Sequence, residues 1–259
     1  MIRSIYTAVS GLINQEAQQD VISNNLANAT TVGYKKDDLV GKSFKDVMMH
    51  NYDKVVRGKH VKNDIGMLSM GCRLDQTYTN FTQGALQSTD KKTDFALQGK
   101  GFFTVSRGGR NFYTRDGHFH VDRGGYLVNS TGDKVIGKNL RTGATEPINV
   151  MQGGKPSKIS CNDSGEMFVG NDLAYKVQVV DFNNYEELSK EGDNLYTGGN
   201  PNVIENTMVK QGYLEKSNIN VMEAVSDMMM SMRNFESNQK LVQSLDETLG
   251  KTVNEVGRV

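Results

Sequence analysis

His118 and His120 are the residues whose type and spacing come nearest to a metal site. They lie one residue apart on a strand-like stretch, so their side chains share a face, and Asp116 and Asp122 flank them. Two imidazoles and a carboxylate are a zinc donor set. The neighbours favour a plainer reading. Asp116-Gly117 is turn chemistry, and Phe119 and Val121 occupy the opposite face, so the two histidines read as solvated positions of a hairpin. Gly153-Gly154-Lys155-Pro156-Ser157 imitates a phosphate loop, but Asn149 stands where its first glycine belongs and Pro156 where its Ser or Thr belongs. Gly99-Lys100-Gly101 lacks the third glycine, the following helix and the acidic residue of a dinucleotide fingerprint. Cys72 and Cys161 lie far apart without CxxC spacing or a local His, and no serine sits on a strand-turn-helix elbow. The acidic residues are scattered over turns. These residues predict no catalytic set, no metal, no cofactor and no small-molecule substrate.

The elements that carry these residues fall into two kinds. At the C-terminus, Val221, Val225, Met228, Met232, Phe235, Val242, Leu249, Val253 and Val256 follow one another at alternating steps of four and three, with Gln239 and Asp246 as polar members. Asn220 is a helix cap, with Glu223 placed for a capping box. At the N-terminus, Ile5, Ala8, Leu12, Gln15, Gln19, Ile22, Leu26 and Ala29 repeat the pattern. A long helix with one narrow apolar stripe needs a mate. The two termini supply each other, other copies supply them, or each helix covers a face of the middle domain. Between the termini the chain is rich in Gly (27 residues) and poor in Pro (3). Its turns at Gly108-Gly109, Asp116-Gly117, Gly124-Gly125 and Gly132-Asp133 punctuate short strands at hairpin spacing.

The 259 residues carry a formal net charge of zero, which gives no bulk attraction to nucleic acid and no repulsion against self-association. From Val40 to Ile65 the chain is locally basic through Lys42, Lys45, Lys54, Arg57, Lys59 and Lys62, diluted by Asp46, Asp53 and Asp64. Phe44, Met48, Tyr52 and Val55 there fit a short amphipathic helix in a solvated connector. No stretch has the length of a membrane span, and the N-terminus shows no cleavable leader.

Several stretches carry a family resemblance. Asn24-Asn25-Leu26-Ala27-Asn28 followed by Gly33-Tyr34-Lys35 resembles the N-terminal signature of the bacterial flagellar basal-body rod and hook proteins. Gly99-Lys100-Gly101-Phe102-Phe103 and then Thr114-Arg115-Asp116-Gly117 resemble the family's central signature. Gly212-Tyr213-Leu214-Glu215-Lys216-Ser217-Asn218 resembles the linker into its C-terminal helix. The three occur in the family's order, and the length matches the compact rod branch, nearest its distal type, better than the longer hook branch.

The resemblance implies an α+β fold in which the terminal helices form a coiled-coil-like core and a Gly-rich all-β domain stands between them. The expected division is a discontinuous helical domain (1–36 and 210–259), an extension with connector strands (37–94), a central β domain (95–200) and a return linker (201–209). It further implies a structural subunit of the axial rod that polymerises into a helical tube and passes motor torque to the hook. Its partners would be its own copies, other rod and hook proteins and the flagellar export apparatus, with ring proteins or cell wall as further neighbours. Export would leave the N-terminus uncleaved, and the location would be the basal body. The alternatives are a proximal rod or hook-type subunit and, in a different class, a monomeric extracellular β-rich binding or adhesion module.

Overall fold

The computed structural model describes residues 2–56, 58–152, 155–204 and 207–256. Arg57, Gly153-Gly154 and residues 205–206 of the expected linker lie outside them, as does the side chain of Val256. The fold is α+β, and the chain divides into two compact units. One holds Met1–Leu26, Asp37–Tyr78 and Asn220–Val259; the other holds Ala27–Lys36 and Thr79–Ile219.

In the first unit, helix α1 covers Ile2–Ala27 and helix α2 covers Val221–Lys251. Asn220 caps α2, its side chain accepting from Met222 N at 3.1 Å. Four strands complete the unit: β1 (Asp37–Ser43), β2 (Val47–Val56), β3 (Lys59–Leu68) and β4 (Cys72–Thr79). β1 pairs with β4, and β2 and β3 form an antiparallel hairpin. Met48, Tyr52 and Val55 of the expected helix are therefore in strand β2, and Phe44 lies between β1 and β2. β-Branched and aromatic residues (Val47, Tyr52, Val55, Val56, Val61) dominate here, and Gly58 supplies a left-handed turn at φ 73°. Register slips after Met49 and Asn51 spoil the two-residue alternation that would have marked a strand.

The second unit is built on strand β7 (Phe102–Arg107), which pairs with β8 (Arg110–Thr114), with Lys134–Asn139 and with Val179–Asp181. Adjacent residues of β7 point into different cores. Phe103 and Val105 join Phe95, Leu97, Phe119 and Val135, whereas Phe102 joins Tyr113, Val180, Phe182 and Tyr196. Phe102, Tyr196 and Phe81 meet edge-on with ring centroids 5.3–5.7 Å apart.

The expected domain boundaries shift at three places. Residues 27–36 and 210–219 belong with the β unit, and residues 37–78 belong with the helices. The expected return linker contains ladder strands: Asn202–Ile204 pairs with Val179–Asp181, and Met208–Gln211 pairs with β6 (Phe95–Gln98). Likewise β5 (Leu86–Ser88), expected in the extension, pairs with Tyr213–Glu215. Unpaired backbone groups in these stretches would need solvent, and sheet edges nearby satisfy them instead.

Candidate functional site

His118 Nδ1 lies 3.0 Å from Asp94 Oδ1, whose other oxygen accepts from Thr89 Oγ1 at 2.7 Å, while His120 is exposed. Asp116 caps the turn by accepting from His118 N at 2.9 Å, and burial pushes its carboxyl above the usual range. Burial also drives the Cys161 thiol up to about 12, so it stays protonated at neutral pH. Among the described residues, no group of three or more His, Cys, Asp or Glu side chains is placed to hold a metal ion.

The signature residues converge elsewhere, inside the β unit. Lys35 Nζ donates to Glu215 Oε1 at 2.5 Å and to Thr82 O at 2.7 Å. The same Glu215 oxygen accepts from Gly84 N at 2.9 Å, and its other oxygen accepts from Arg115 Nη1 at 3.2 Å. Arg115 Nη2 donates to Gly99 O at 2.9 Å, and the guanidinium lies 5.4 Å from the Phe102 ring centroid. All three charged side chains are buried. Two cations share one carboxylate, so the cluster keeps a net positive charge away from water. Burial pulls Lys35 below the usual lysine range, against the opposing pull of Glu215.

Glycine permits this approach. Gly33 has φ 69°, and a Cβ there would come within 2.5 Å of Asp116 N; its own N–H donates to Glu215 O at 2.8 Å. Asn218 continues the clamp. It accepts from Lys36 N at 2.8 Å and donates to Asn80 O at 2.8 Å and Thr82 Oγ1 at 3.1 Å, while Asn80 N donates to Lys36 O at 2.8 Å. Lys36, Asn80 and Asn218 stand next to the points where the chain enters or leaves this unit, so these ends are bolted to one another.

Of the other signature residues, Gly101 has φ 123°, and Gly212 turns at φ 75° to donate to Asp94 O at 2.8 Å. Gly117 leaves room for the backbone of Phe95, and Ser217 is buried while Leu214 is half-buried. Asn28 forms the turn after α1 by accepting from Thr31 N at 3.1 Å; Asn24 and Ala27 are exposed. In the helical unit, Asn25 clasps Asp37, donating to its carbonyl at 2.7 Å and accepting from its N–H at 3.0 Å.

The helices of that unit cross on small and polar residues. Ser231 Oγ donates to Gln15 Oε1 at 2.9 Å, and a Cβ on Gly11 would stand 3.3 Å from Asn238 Nδ2. The order of these contacts makes the helices antiparallel. Val225, Met228, Phe235, Val242 and Leu249 are half-buried, as are Ile5, Leu12, Ile22 and Leu26 on α1. Val221, Met232 and Val253 of the expected stripe are instead exposed. The covered face runs through Ser231, Asn238 and Leu245, each one residue before Met232, Gln239 and Asp246. A bulky residue at the crossing would hold the backbones apart, so the seam follows the small side chain. Ser231→Leu is therefore expected to destabilise the helical unit by about 1–3 kcal/mol through overpacking. Thermal unfolding followed by helical circular dichroism checks this; an unchanged helical transition contradicts it.

Of the residues making these contacts, Gln15 was read as a polar member of the N-terminal stripe, Arg115 as part of the Thr114–Gly117 motif, and Thr82 and Gly84 stand in the Phe81–Leu86 stretch that shares the family resemblance. Ser231 alone carried no signal.

A clamped β unit, together with helices and a hairpin that leave apolar surface uncovered, defines a structural subunit. Three family profiles match it: residues 5–35 match "Flagella basal body rod protein", residues 96–169 match "Flagellar hook protein FlgE/F/G D1 domain", and residues 210–255 match "Flagellar basal body rod FlgEFG protein C-terminal". The chain is 31% identical to the flagellar basal-body rod protein FlgG of Bacillus subtilis (strain 168), covering 98% of this chain and 99% of that one. It is 32% identical to the FlgG protein of Buchnera aphidicola subsp. Acyrthosiphon pisum, over 97% and 98%. It is 28% identical to the rod protein FlgF of Caulobacter vibrioides, over the full length of both. The chain belongs to the flagellar basal-body rod protein family and is a structural rod subunit, not an enzyme. Lys35, Arg115 and Glu215 fall one in each matched segment, so the buried cluster joins all three.

Proposed function

We propose that this chain is a distal-type rod subunit that polymerises with its own copies into a helical tube and passes torque from the motor to the hook. The observation that carries this reading is uncovered apolar surface on the elements that would face neighbours. Tyr52 is 60% and Ile65 63% exposed on the β2–β3 hairpin, and α2 exposes apolar residues on the side away from α1. Full-length similarity to relatives named FlgG favours the distal over the proximal type. In the tube the terminal helices, Ile5 to Leu26 and Val221 to Val253, form a coiled-coil-like inner core completed by other copies. Within the β unit, Gly33–Lys35 and Gly212–Asn218 fix the chain ends that carry load. Heterologous contacts that do not close produce such a filament. Other rod proteins and hook proteins are its axial neighbours, and ring proteins or cell wall lie around it. The subunit reaches its place through the flagellar export apparatus with its N-terminus uncleaved.

An antibody against this chain should decorate the axial structure of isolated basal bodies in electron micrographs, and a strain lacking the gene should be non-motile. Label elsewhere on the envelope, or normal swimming without the gene, contradicts the reading.

A further inference from the structure

Helix α1 has three sides. One meets α2 through Gly11 and Gln15. A second carries the ribbon of β1 and β4: Gly41 lies against Asn14, Cys72 N donates to Ser10 Oγ at 3.2 Å, and Thr7 Oγ1 donates to Met70 O at 3.2 Å. The third is open. At steps of three and four it carries Tyr6, Val9, Ile13, Glu16 and Asp20, then Asn24 and Ala27 at the helix end, all exposed. This stripe is apolar in its first turns, with Tyr6 69% and Ile13 53% exposed, and acidic in the next, with no lysine or arginine in it. The β2–β3 hairpin has the matching order. Its base exposes Val47, Met48, Met67 and Leu68. Its two acids are engaged short of the tip: Asp64 Oδ1 lies 2.7 Å from His50 Nδ1, and Asp53 accepts from Asn51 Nδ2 at 2.9 Å. Residues 54–63 contain no carboxylate, and Lys54, Lys59 and Lys62 stand exposed there. Among the described residues, neither these lysines nor Glu16 and Asp20 have an ion-pair partner.

We propose that the β2–β3 hairpin of one copy docks on the open stripe of α1 in a second copy, with Lys54, Lys59 and Lys62 against Glu16 and Asp20 and the apolar base against Tyr6, Val9 and Ile13. This inference rests on the rod-subunit reading above and names the surface by which one subunit holds the next. The spans agree. Tyr6 to Asp20 covers about 21 Å of helix at its rise per residue, and Val47 to Lys54 covers about 23 Å of strand. The chain's own hairpin does not cover the stripe. Its contacts step from Ser10 at Cys72 to Thr7 at Met70, so it leaves α1 near the N-terminal end, and Glu16 and Asp20 lie more than about two turns further along the helix. A second copy is the occupant that the pattern selects, because it offers cations opposite carboxylates and apolar groups opposite apolar ones. The charges also set polarity. Turned end for end, the hairpin would lay its lysines on Tyr6 and Ile13 and leave both acids against Met48 and Met67, and unpaired charge on apolar surface rejects that arrangement. Apolar burial supplies most of the attraction, since exposed ion pairs contribute little each.

Charge reversal tests the pairing. In a strain lacking the gene, the E16K/D20K chain and the K54E/K59E/K62E chain should each give about tenfold fewer swimming cells than the unaltered chain, because like charges then meet at every junction. The chain carrying both sets of substitutions restores opposite charges and should swim within about twofold of the unaltered one, which independent defects would not allow. The purified chains should share one thermal unfolding transition, because every substituted site is exposed. Failure of the doubly reversed chain to recover swimming overturns the proposal, and so does normal swimming by either singly reversed chain. A lowered transition in the purified E16K/D20K chain also overturns it, since the acids would then be held by their own chain. Each of these results leaves the rod reading standing. If the strain lacking the gene swims normally, the rod reading falls and takes the proposal with it.

Discussion

Glu215→Ala should destabilise the β unit by about 3–5 kcal/mol, the cost of leaving buried charge without its counter-ion. Thermal unfolding should fall by something on the order of 10 °C for a unit of this size. The substitution leaves Lys35 Nζ with only the Thr82 carbonyl and removes the partner of Arg115 Nη1. It also frees the Gly84 N–H that Glu215 Oε1 accepts from. Lys35 has an escape that Arg115 lacks, since a buried lysine can give up its proton and an arginine does not. This sets the sign of the pH dependence. Burial already holds the folded-state pKa of Lys35 below its unfolded value of 10.5. Between the two values the unfolded chain binds more protons than the folded one, so stability rises with pH in that window. Removing the carboxylate lowers the folded value further and extends the window downward. The deficit of Glu215→Ala should therefore shrink as pH is raised from neutral towards the lysine range, while the wild type changes less there. Adding Lys35→Met should recover part of the loss, since only Arg115 then lacks a counter-ion. A Glu215→Ala protein that melts with the wild type at neutral pH, or one whose deficit grows with pH, contradicts this account.

The sequence displayed the members of this cluster but not their meeting. Lys35 follows Gly33-Tyr34, Arg115 precedes Asp116-Gly117, and Glu215 follows Gly212, so each stood beside a recognisable turn. What joins them is tertiary: Lys35 and Glu215 are 180 positions apart and Arg115 and Glu215 are 100 apart. No local periodicity spans such distances. The helices were legible because their period is local, and Asn220 was legible as a cap because capping uses a bond two residues away. The expected stripe falls one residue late at Met232, Gln239 and Asp246, where Ser231, Asn238 and Leu245 are covered instead; a count by hydrophobicity ranks Met232 above Ser231, whereas close packing of backbones ranks them the other way. In the hairpin, register slips in β2 removed the alternation that identifies a strand, and leftover apolar spacing at Phe44, Met48, Tyr52 and Val55 imitated a helix. At Phe102-Phe103 the pattern was plain, but that adjacent rings feed different cores follows only from a sheet covered on both faces.

Replacing Tyr52 and Ile65 together by Ser should abolish swimming in a strain that depends on this chain while leaving the melting of the purified monomer within about 0.5 kcal/mol of the original, the usual range for surface changes. Among the described residues, β2 and β3 pair only with each other, and every residue of β3 is exposed. A lone two-stranded hairpin is marginal in water, so its apolar side chains add little to the stability of the isolated chain. Its strand edges and its Tyr, Ile, Val and Met side chains gain their value when a neighbour covers them. Full burial of Tyr52 or Ile65 would contribute about 1.5–3 kcal/mol each at the interface, and both would be lost at every copy along the tube. The monomer therefore loses almost nothing and the polymer loses a contact at each repeat. Serine keeps the hairpin from carrying new charge, so any defect reports lost apolar burial and not repulsion. A monomeric binding module would predict the reverse, with no motility phenotype from either change. If the doubly substituted chain is expressed at normal levels and its strain swims like the wild type, the hairpin is not an assembly surface; if the monomer melts far below wild type, the hairpin is held by its own chain and not by a neighbour.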